Sequence, residues 1–403
     1  MELQNGAHLS YCTNIHAGES WSVVFESLKE YCLPLKATLS PDRRFGIGLR
    51  LSNESSVVLA ESAHLQEFKQ WLADHDLYVF TMNGFPYGAF HFEVVKDKVH
   101  QPDWTTRERL EYSKRLFDIL AELLPTGLDG GVSTSPLSYK FWHKTQRALE
   151  QAKLDSCQNM IKLAAHLVRL KEKYGKSLHL DIEPEPDGIL EDSTGFIHFY
   201  KEYLLKQGKV LLASELGCTP SQAELHIREH LQLCFDVCHF AVGFESPAVV
   251  IEALEAEGIR TGKIQISAAL KAILPPVPSL RQQIKDELSP FNESTYLHQV
   301  TMQGQDGNLA YYPDLADGLT QLDDMKWQEL RTHFHVPIFA EDYGLLESTQ
   351  DEIVKTLGLW KRAPFTQHLE IETYTWEVLP SDLKLDLRDS IEREMRWVLS
   401  QVQ

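Results

Sequence analysis

No stretch of about 18 apolar residues occurs anywhere in this 403-residue chain, so no membrane-spanning helix is expected. Its first ten residues, MELQNGAHLS, lack a basic start followed by an apolar run, so no signal peptide is expected and the protein reads as cytoplasmic. Cysteine is sparse: there are six, and no two form a C-x-x-C pair. Cys234 and Cys238, separated by three residues at an expected strand end, are too close and too extended for a structural zinc knuckle. Reduced thiols follow. Basic residues are outnumbered, 39 against 58 acidic, giving a formal net charge of −19. A phosphate-tracking surface needs clustered Lys and Arg, so no nucleic-acid partner is expected.

Several catalytic signatures are also missing. The chain has no G-x-S-x-G, H-E-x-x-H or P-loop, and Gly46-Ile47-Gly48 lacks the third glycine of a dinucleotide turn. Asn53-Glu54-Ser55 and Asn292-Glu293-Ser294 are formal glycosylation sequons without meaning in a protein that is not secreted. No low-complexity tract, repeat or Pro/Gly/Ser linker divides the chain, which predicts a single domain over 1–403.

What is present is an alternation of short β-rich runs with longer helical patterns. Strands are expected at His8–His16, Phe45–Leu51, Leu77–Met82, Gly130–Thr134, Ser177–Glu183, Leu231–Val237, Lys263–Ser267 and Gln367–Glu372. Helices are expected at Thr105–Leu124, Phe141–Tyr174, Ser246–Glu257 and Ser381–Val402, with Ser246-Pro247 as an N-cap and first helical position. Eight strands separated by helices predict a (β/α)8 TIM barrel, of the α/β class, better than an open doubly wound sheet. The segment 268–366 is the exception. It runs to about a hundred residues, against about thirty for a simple βαβ unit, and holds two further strand-like runs, Thr295–Thr301 and Thr332–Phe339. It is expected as an insertion between strands seven and eight, over the C-terminal face of the barrel.

Barrel chemistry is built at the C-terminal strand ends. Those ends carry Asn14 and His16 on strand one, Asn83 on strand three, and Asp181 and Glu183 on strand five. Asp236, with His239 three residues on, ends strand six; strand seven carries Gln265, and strand eight carries Glu370 and Glu372. Residues two apart on a strand share a face, so each acidic pair points inward or outward together. Carboxylates from strands five, six and eight, with an amide oxygen from strand seven, form an oxygen-rich arc. It needs a cation or shared protons to be stable. Such donors suit Mn²⁺, Mg²⁺ or Zn²⁺. The rim reading, in which individual acids cap helices or pair with bases, stands beside it.

The phrases Leu180-Asp181-Ile182-Glu183-Pro184, Phe235-Asp236-Val237-Cys238-His239, Ile264-Gln265-Ile266-Ser267 and Glu370-Ile371-Glu372 resemble the xylose-isomerase-like TIM barrels, among them sugar isomerases, epimerases and zinc apurinic endonucleases. The resemblance implies a metal held by Glu183, Asp236, Gln265 and Glu372, with Gln265 in place of the commoner His. It also implies that His239 contacts substrate, or a metal as in the endonucleases. Over nearly the whole length the chain also looks like the EboE-type metabolite traffic proteins, on the phrases Tyr11–Trp21, Phe45–Leu51, Phe80–His91 and His333–Pro337. That likeness implies the export or maturation of a secondary metabolite, with other proteins of one gene cluster as partners and no assigned reaction.

Three functions are carried forward. The first is a metal-dependent isomerase or epimerase of a small hydroxy-carbonyl metabolite, in which Glu183 and Glu372 exchange a proton with substrate and His239 holds an oxygen. The second is a metabolite-binding protein without turnover. The third is a metallohydrolase or nuclease of the same barrel. Asn14, His16, Asn83, Phe85 in the aromatic loop 83–91, Lys271, His298, His333 and His335 are the expected substrate contacts. His333 and His335, two apart on one strand face, are also a legitimate zinc spacing. His91 is weighed as a rim residue.

Overall fold

The computed structural model describes every residue except 90–94, 378, 380–383, 385 and 403. His91 and the start of the expected final helix therefore lie outside the described residues.

Eight parallel strands build the barrel: β1 His8–Tyr11, β2 Phe45–Arg50, β3 Leu77–Asn83, β4 Gly130–Thr134, β5 Leu178–Ile182, β6 Leu231–Asp236, β7 Thr261–Ile266 and, last in the chain, His368–Ile371. The order around the sheet places the last strand between β1 and β7, then runs β6, β5, β4, β3, β2. Closure between β1 and β2 is made by a parallel bridge from Cys12 to Gly48. Every residue of these strands is buried, because helices cover the outside and side chains fill the inside.

The strand sequences explain which face is which. Leu178, Leu180 and Ile182 alternate with His179, Asp181 and Glu183, and Ile264 and Ile266 alternate with Lys263 and Gln265. The apolar set packs outward against helices such as Arg107–Leu123 and Gln146–Tyr174. The polar set fills the barrel interior, where it must pair with itself. Lys263 Nζ meets Glu370 Oε2, with both side chains fully buried, and His179 Nδ1 lies 2.6 Å from Asp181 Oδ1. The interior acids Asp181 and Glu370 thus have partners below the barrel mouth.

Between β7 and the last barrel strand lies a second, six-stranded sheet. Its strands are β8 Ala268–Ile273, β9 Val300–Gly304, β10 Leu309–Tyr312, β11 Trp327–Val336, β12 Asp342–Tyr343 and β13 Leu346–Ser348, with His368–Ile371 becoming β14. The order is β10-β9-β11-β8-β13-β12, and every pairing is antiparallel. A single residue, Ser267, separates β7 from β8. The chain is a (β/α)8 barrel with a large insertion between its seventh and eighth strands. No helix among the described residues is long and apolar enough to cross a membrane.

Candidate active site at the C-terminal end of the barrel

Gln265 is the hub. It leaves β7 toward the C-terminal mouth, and its Nε2 lies 3.1 Å from Glu183 Oε1, 3.0 Å from Asp236 Oδ2 and in contact with Glu372 Oε2. An amide nitrogen has two hydrogens and cannot satisfy three carboxylates at once. Turning the amide by half a revolution presents Oε1 to the same point as a fourth oxygen donor. On its other side Gln265 Oε1 accepts from Cys234 Sγ–H at 2.9 Å.

The surrounding donors hold each acid in place. Asn14, on the short turn Thr13–Ile15 after β1, donates to Glu372 Oε1 at 2.7 Å, and Asn83 donates to the same oxygen at 2.8 Å. Asp236 caps the helix Val237–Val242, accepting from the His239 backbone N–H at 3.1 Å and from Ser267 Oγ–H at 2.7 Å. Glu183 Oε2, by contrast, is buried with no hydrogen-bond partner among the described residues.

Electrostatics follow from this crowding. Burial, then Asp236 and Glu185, push the Glu183 carboxyl well above its ordinary range. Burial, then Glu183 and Asp236, do the same to Glu372. Burial opposes ionisation of Asp236 too, but His239, His335 and the Ser267 and His239 donors hold its carboxyl below the usual range. Three buried carboxyls around one amide cannot all ionise without a positive partner.

Three imidazoles stand beside the acids. His239 Nδ1 lies 3.2 Å from Pro184 O, His333 Nδ1 lies 2.8 Å from Gln299 Oε1, and His335 Nδ1 lies 2.9 Å from the Glu372 carbonyl. Each acceptor calls for a proton on Nδ1, which leaves the Nε2 lone pairs free. His239 Nε2 and His333 Nε2 face each other at 3.0 Å, and His335 Nε2 is buried without a partner among the described residues. Burial pushes His239 down to about 4 and His333 and His335 below their ordinary value, so the rings are neutral. Two opposed lone pairs repel unless a proton or a cation lies between them. Glu185, His239 and His333 form one group with metal-ligating spacing, and Asp236, His239 and His335 form another.

These groups floor and wall a cleft of about 570 Å³, partly open to solvent, which Phe85, Tyr296 and Tyr374 also line. Of the expected contacts, Asn14, Asn83, Phe85, Glu183, His239, His333, His335 and Glu372 line it, with Asp236 and Gln265 beneath.

Three expectations do not match. His16 sits behind the wall, 3.0 Å from Tyr11 Oη and stacked on Tyr31, because the chain leaves β1 at Tyr11 and turns. Lys271 lies on β8 and pairs with Glu347 at 3.0 Å and Asp351 at 3.6 Å, outside the cleft lining. His298 stands one layer back, its Nδ1 3.1 Å from the His333 carbonyl and its Nε2 2.7 Å from Glu293.

Sequence reasoning missed Glu185, His100 and Gln299. Glu185, two residues beyond Glu183, is buried and pushed up by burial and then Asp236, and it lies 3.1 Å from His100 Nε2. The Glu-Pro-Glu spacing was available as a signal. Gln299 and His100 carry none, because their roles depend on which chain segments meet.

An eight-stranded α/β barrel with acid, amide and imidazole groups converging at its C-terminal mouth defines the class of protein. No family model matches the chain, and no curated protein matches it. Among solved structures, a xylose isomerase-like TIM barrel protein from Mycobacterium smegmatis in complex with magnesium aligns over 100% of this chain and 98% of its own, with TM-score 0.51 and 10% identity. The IOLI protein with a binding zinc atom aligns over 98% of both chains, with TM-score 0.45 and 13% identity. A putative sugar phosphate isomerase/epimerase from Anabaena variabilis aligns over 98% of both, with TM-score 0.46 and 12% identity. At such identities the likeness is one of fold.

Proposed function

We propose that this protein is a metal-dependent isomerase or epimerase of a small hydroxy-carbonyl metabolite, with Glu183, Asp236, Gln265 and Glu372 holding a divalent cation. The observation that carries the reading is the meeting of three carboxylates at one over-subscribed amide, Gln265 Nε2. The partnerless Glu183 Oε2 and His335 Nε2 fit the same group. Mn²⁺, Mg²⁺ and Zn²⁺ all suit these donors. A bound cation would supply Lewis acidity toward a carbonyl and its neighbouring hydroxyl.

The chain's own residues divide the remaining work. Glu183, whose Oε2 has no other partner among the described residues, removes the proton from the carbon that bears the hydroxyl, leaving an enediolate. Glu372, fixed by Asn14 and Asn83, delivers its own proton to the enediolate carbon, and both carboxyls re-equilibrate with solvent. His239 holds a substrate oxygen through Nε2. Phe85 and Tyr374 give an apolar wall that limits water. A soluble, cytoplasmic setting belongs to this reading, as does the metabolite-traffic context with partners from one gene cluster. The insertion, as part of one domain with the barrel, contributes His333 and His335 to the cleft.

One observation favours a second reading. The His239, His333 and His335 trio, next to Asp236 and Glu185, suits a second cation, and paired cations serve hydrolysis of phosphate or ester bonds. Solvent deuterium wash-in decides between them. With added Mn²⁺, Mg²⁺ or Zn²⁺, small hydroxy-aldehydes and ketoses gain deuterium in wild type and not in Glu183→Gln. Hydrolysis of a phosphoester without wash-in would replace the isomerase by a hydrolase. Metal binding with neither reaction would leave a binding protein.

A further inference from the structure

At the opposite end of the barrel a second group of side chains has no role in the chemistry above. Asp129 stands just before β4, His179 is the second residue of β5, and His368 opens β14. None of the three lines the cleft. His368 Nε2 lies 3.2 Å from Asp129 Oδ1, and His179 Nε2 lies 3.8 Å from Asp129 Oδ2. One ligand atom from each falls within 4.8 Å of the others.

We propose that Asp129, His179 and His368 form a separate binding site for a transition-metal cation of the Zn²⁺ type, tying three strands together at the N-terminal mouth of the barrel. Ligand atoms held about 2.0–2.2 Å from a tetrahedral ion stand roughly 3.3 Å apart, close to the two separations here. Asp181 Oδ1 engages His179 Nδ1 at 2.6 Å, which fixes the ring with Nε2 toward Asp129. A carboxylate behind a histidine is the usual outer partner of a metal-bound imidazole. Without a cation, or a second proton on the ring, the buried His179 Nε2 lone pair faces the Asp129 carboxylate.

Two further observations point the same way. His8, in register with His368 on the adjoining strand, keeps a buried Nε2 with no hydrogen-bond partner among the described residues. The room for the His179–Asp181 pair comes from Gly131 and Gly262, where an added Cβ would overlap those two side chains. Asp129 itself is 44% exposed, which gives an ion a route in from solvent. The strands joined are not all neighbours. β4 and β5 pair directly, whereas β14 lies beyond β6 and β7. A cation here crosses the barrel interior and acts as a staple.

The test uses the full chain, stripped with chelator and dialysed against Zn²⁺ or Co²⁺, with metal counted by elemental analysis. A triple variant, Glu183→Gln, Glu372→Gln and His335→Asn, disables the C-terminal mouth. It is expected to retain about one metal per chain, with the strong visible absorption of four-coordinate Co²⁺. Adding Asp129→Asn or His368→Gln should weaken that binding by 10- to 100-fold. In an otherwise wild-type chain Asp129→Asn should lower the metal count by about one. Asp129 is half-exposed, so this variant carries the test if the others do not fold. Metal content indifferent to both Asp129→Asn and His368→Gln would overturn the proposal and leave His179 as an imidazolium between two aspartates. A triple variant that holds no metal would overturn it as well, whereas a triple variant with the same metal content as wild type would count against the catalytic reading alone, so the two failures are distinguishable.

Discussion

Replacing Glu183 by Gln should change stability in opposite directions with and without metal. In metal-free wild type, Glu183 and Glu372 are buried beside each other and beside Asp236, and their folded-state pKa values are raised. A raised carboxyl binds its proton more tightly in the folded than in the unfolded state. Stability is therefore greatest below the unfolded value of about 4.3 and declines as pH climbs above it. Glu183→Gln removes one of these carboxyls, so the chelated variant should melt higher than chelated wild type at pH 8. With metal the order reverses. A cation at a hundred times its dissociation constant adds about 2.7 kcal/mol to the folded state. Unfolding entropy near 2.1 cal/mol/K per residue, over 403 residues, amounts to about 0.85 kcal/mol/K, so that gain raises Tm by about 3 °C. Differential scanning calorimetry at pH 5 and pH 8, with chelator and with saturating Mn²⁺, Mg²⁺ or Zn²⁺, reads both effects. Wild type should gain more at pH 8 than at pH 5, because a cation then displaces fewer ligand protons, and the variant should gain little at either pH. A wild-type Tm indifferent to all three ions at pH 8 would refute the reasoning, and so would a variant that melts lower under every condition.

Two further expectations concern the barrel interior. Lys263→Met leaves Glu370 buried without its cation and should cost about 3–5 kcal/mol in urea unfolding, whereas Lys263→Met with Glu370→Gln should recover much of that loss. Glu394, on the final helix Leu387–Val402, accepts from the Ile338 N–H and Thr373 Oγ–H, and burial pushes its carboxyl up to about 8. Its contribution is fully present below about pH 4.3 and is lost as pH rises toward 8, so Glu394→Gln should flatten the stability profile across that window, as followed by thermal melts.

The barrel was legible because its strands are short apolar runs bounded by turn residues. β4 matches the expected Gly130–Thr134 at both ends, and β5 and β6 differ by a residue at their boundaries. The strand ends placed an oxygen-rich arc at the mouth, and the family resemblance named Glu183, Asp236, Gln265 and Glu372 within it. Period two paired the acids on each strand without fixing which way they face. The insertion was less legible. β8, Ala-Ala-Leu-Lys-Ala-Ile, has little β-branched character and became a strand through pairing with β11 and β13. Expected strand Thr295–Thr301 shares only two residues with β9, because 295–299 runs irregularly and gives backbone groups to Val95 and Lys96. Lys271 was misplaced for the same reason. Its direction is set by the antiparallel sheet, which turns it to Glu347. Gln299 was invisible because only the contact of its backbone carbonyl with the His333 N–H puts its amide beside the ring.

Ser267 has a mechanical consequence. It is the whole connection between β7 and β8, and its hydroxyl grips Asp236 while the Gln265 amide lies two residues upstream. Any tilt of the antiparallel sheet works like a lever on this short fulcrum, shifting His333 and His335 at one end and Gln265 and Asp236 at the other. Substitutions in the outer strands, far from the cleft, can therefore retune its geometry without replacing any residue that lines it.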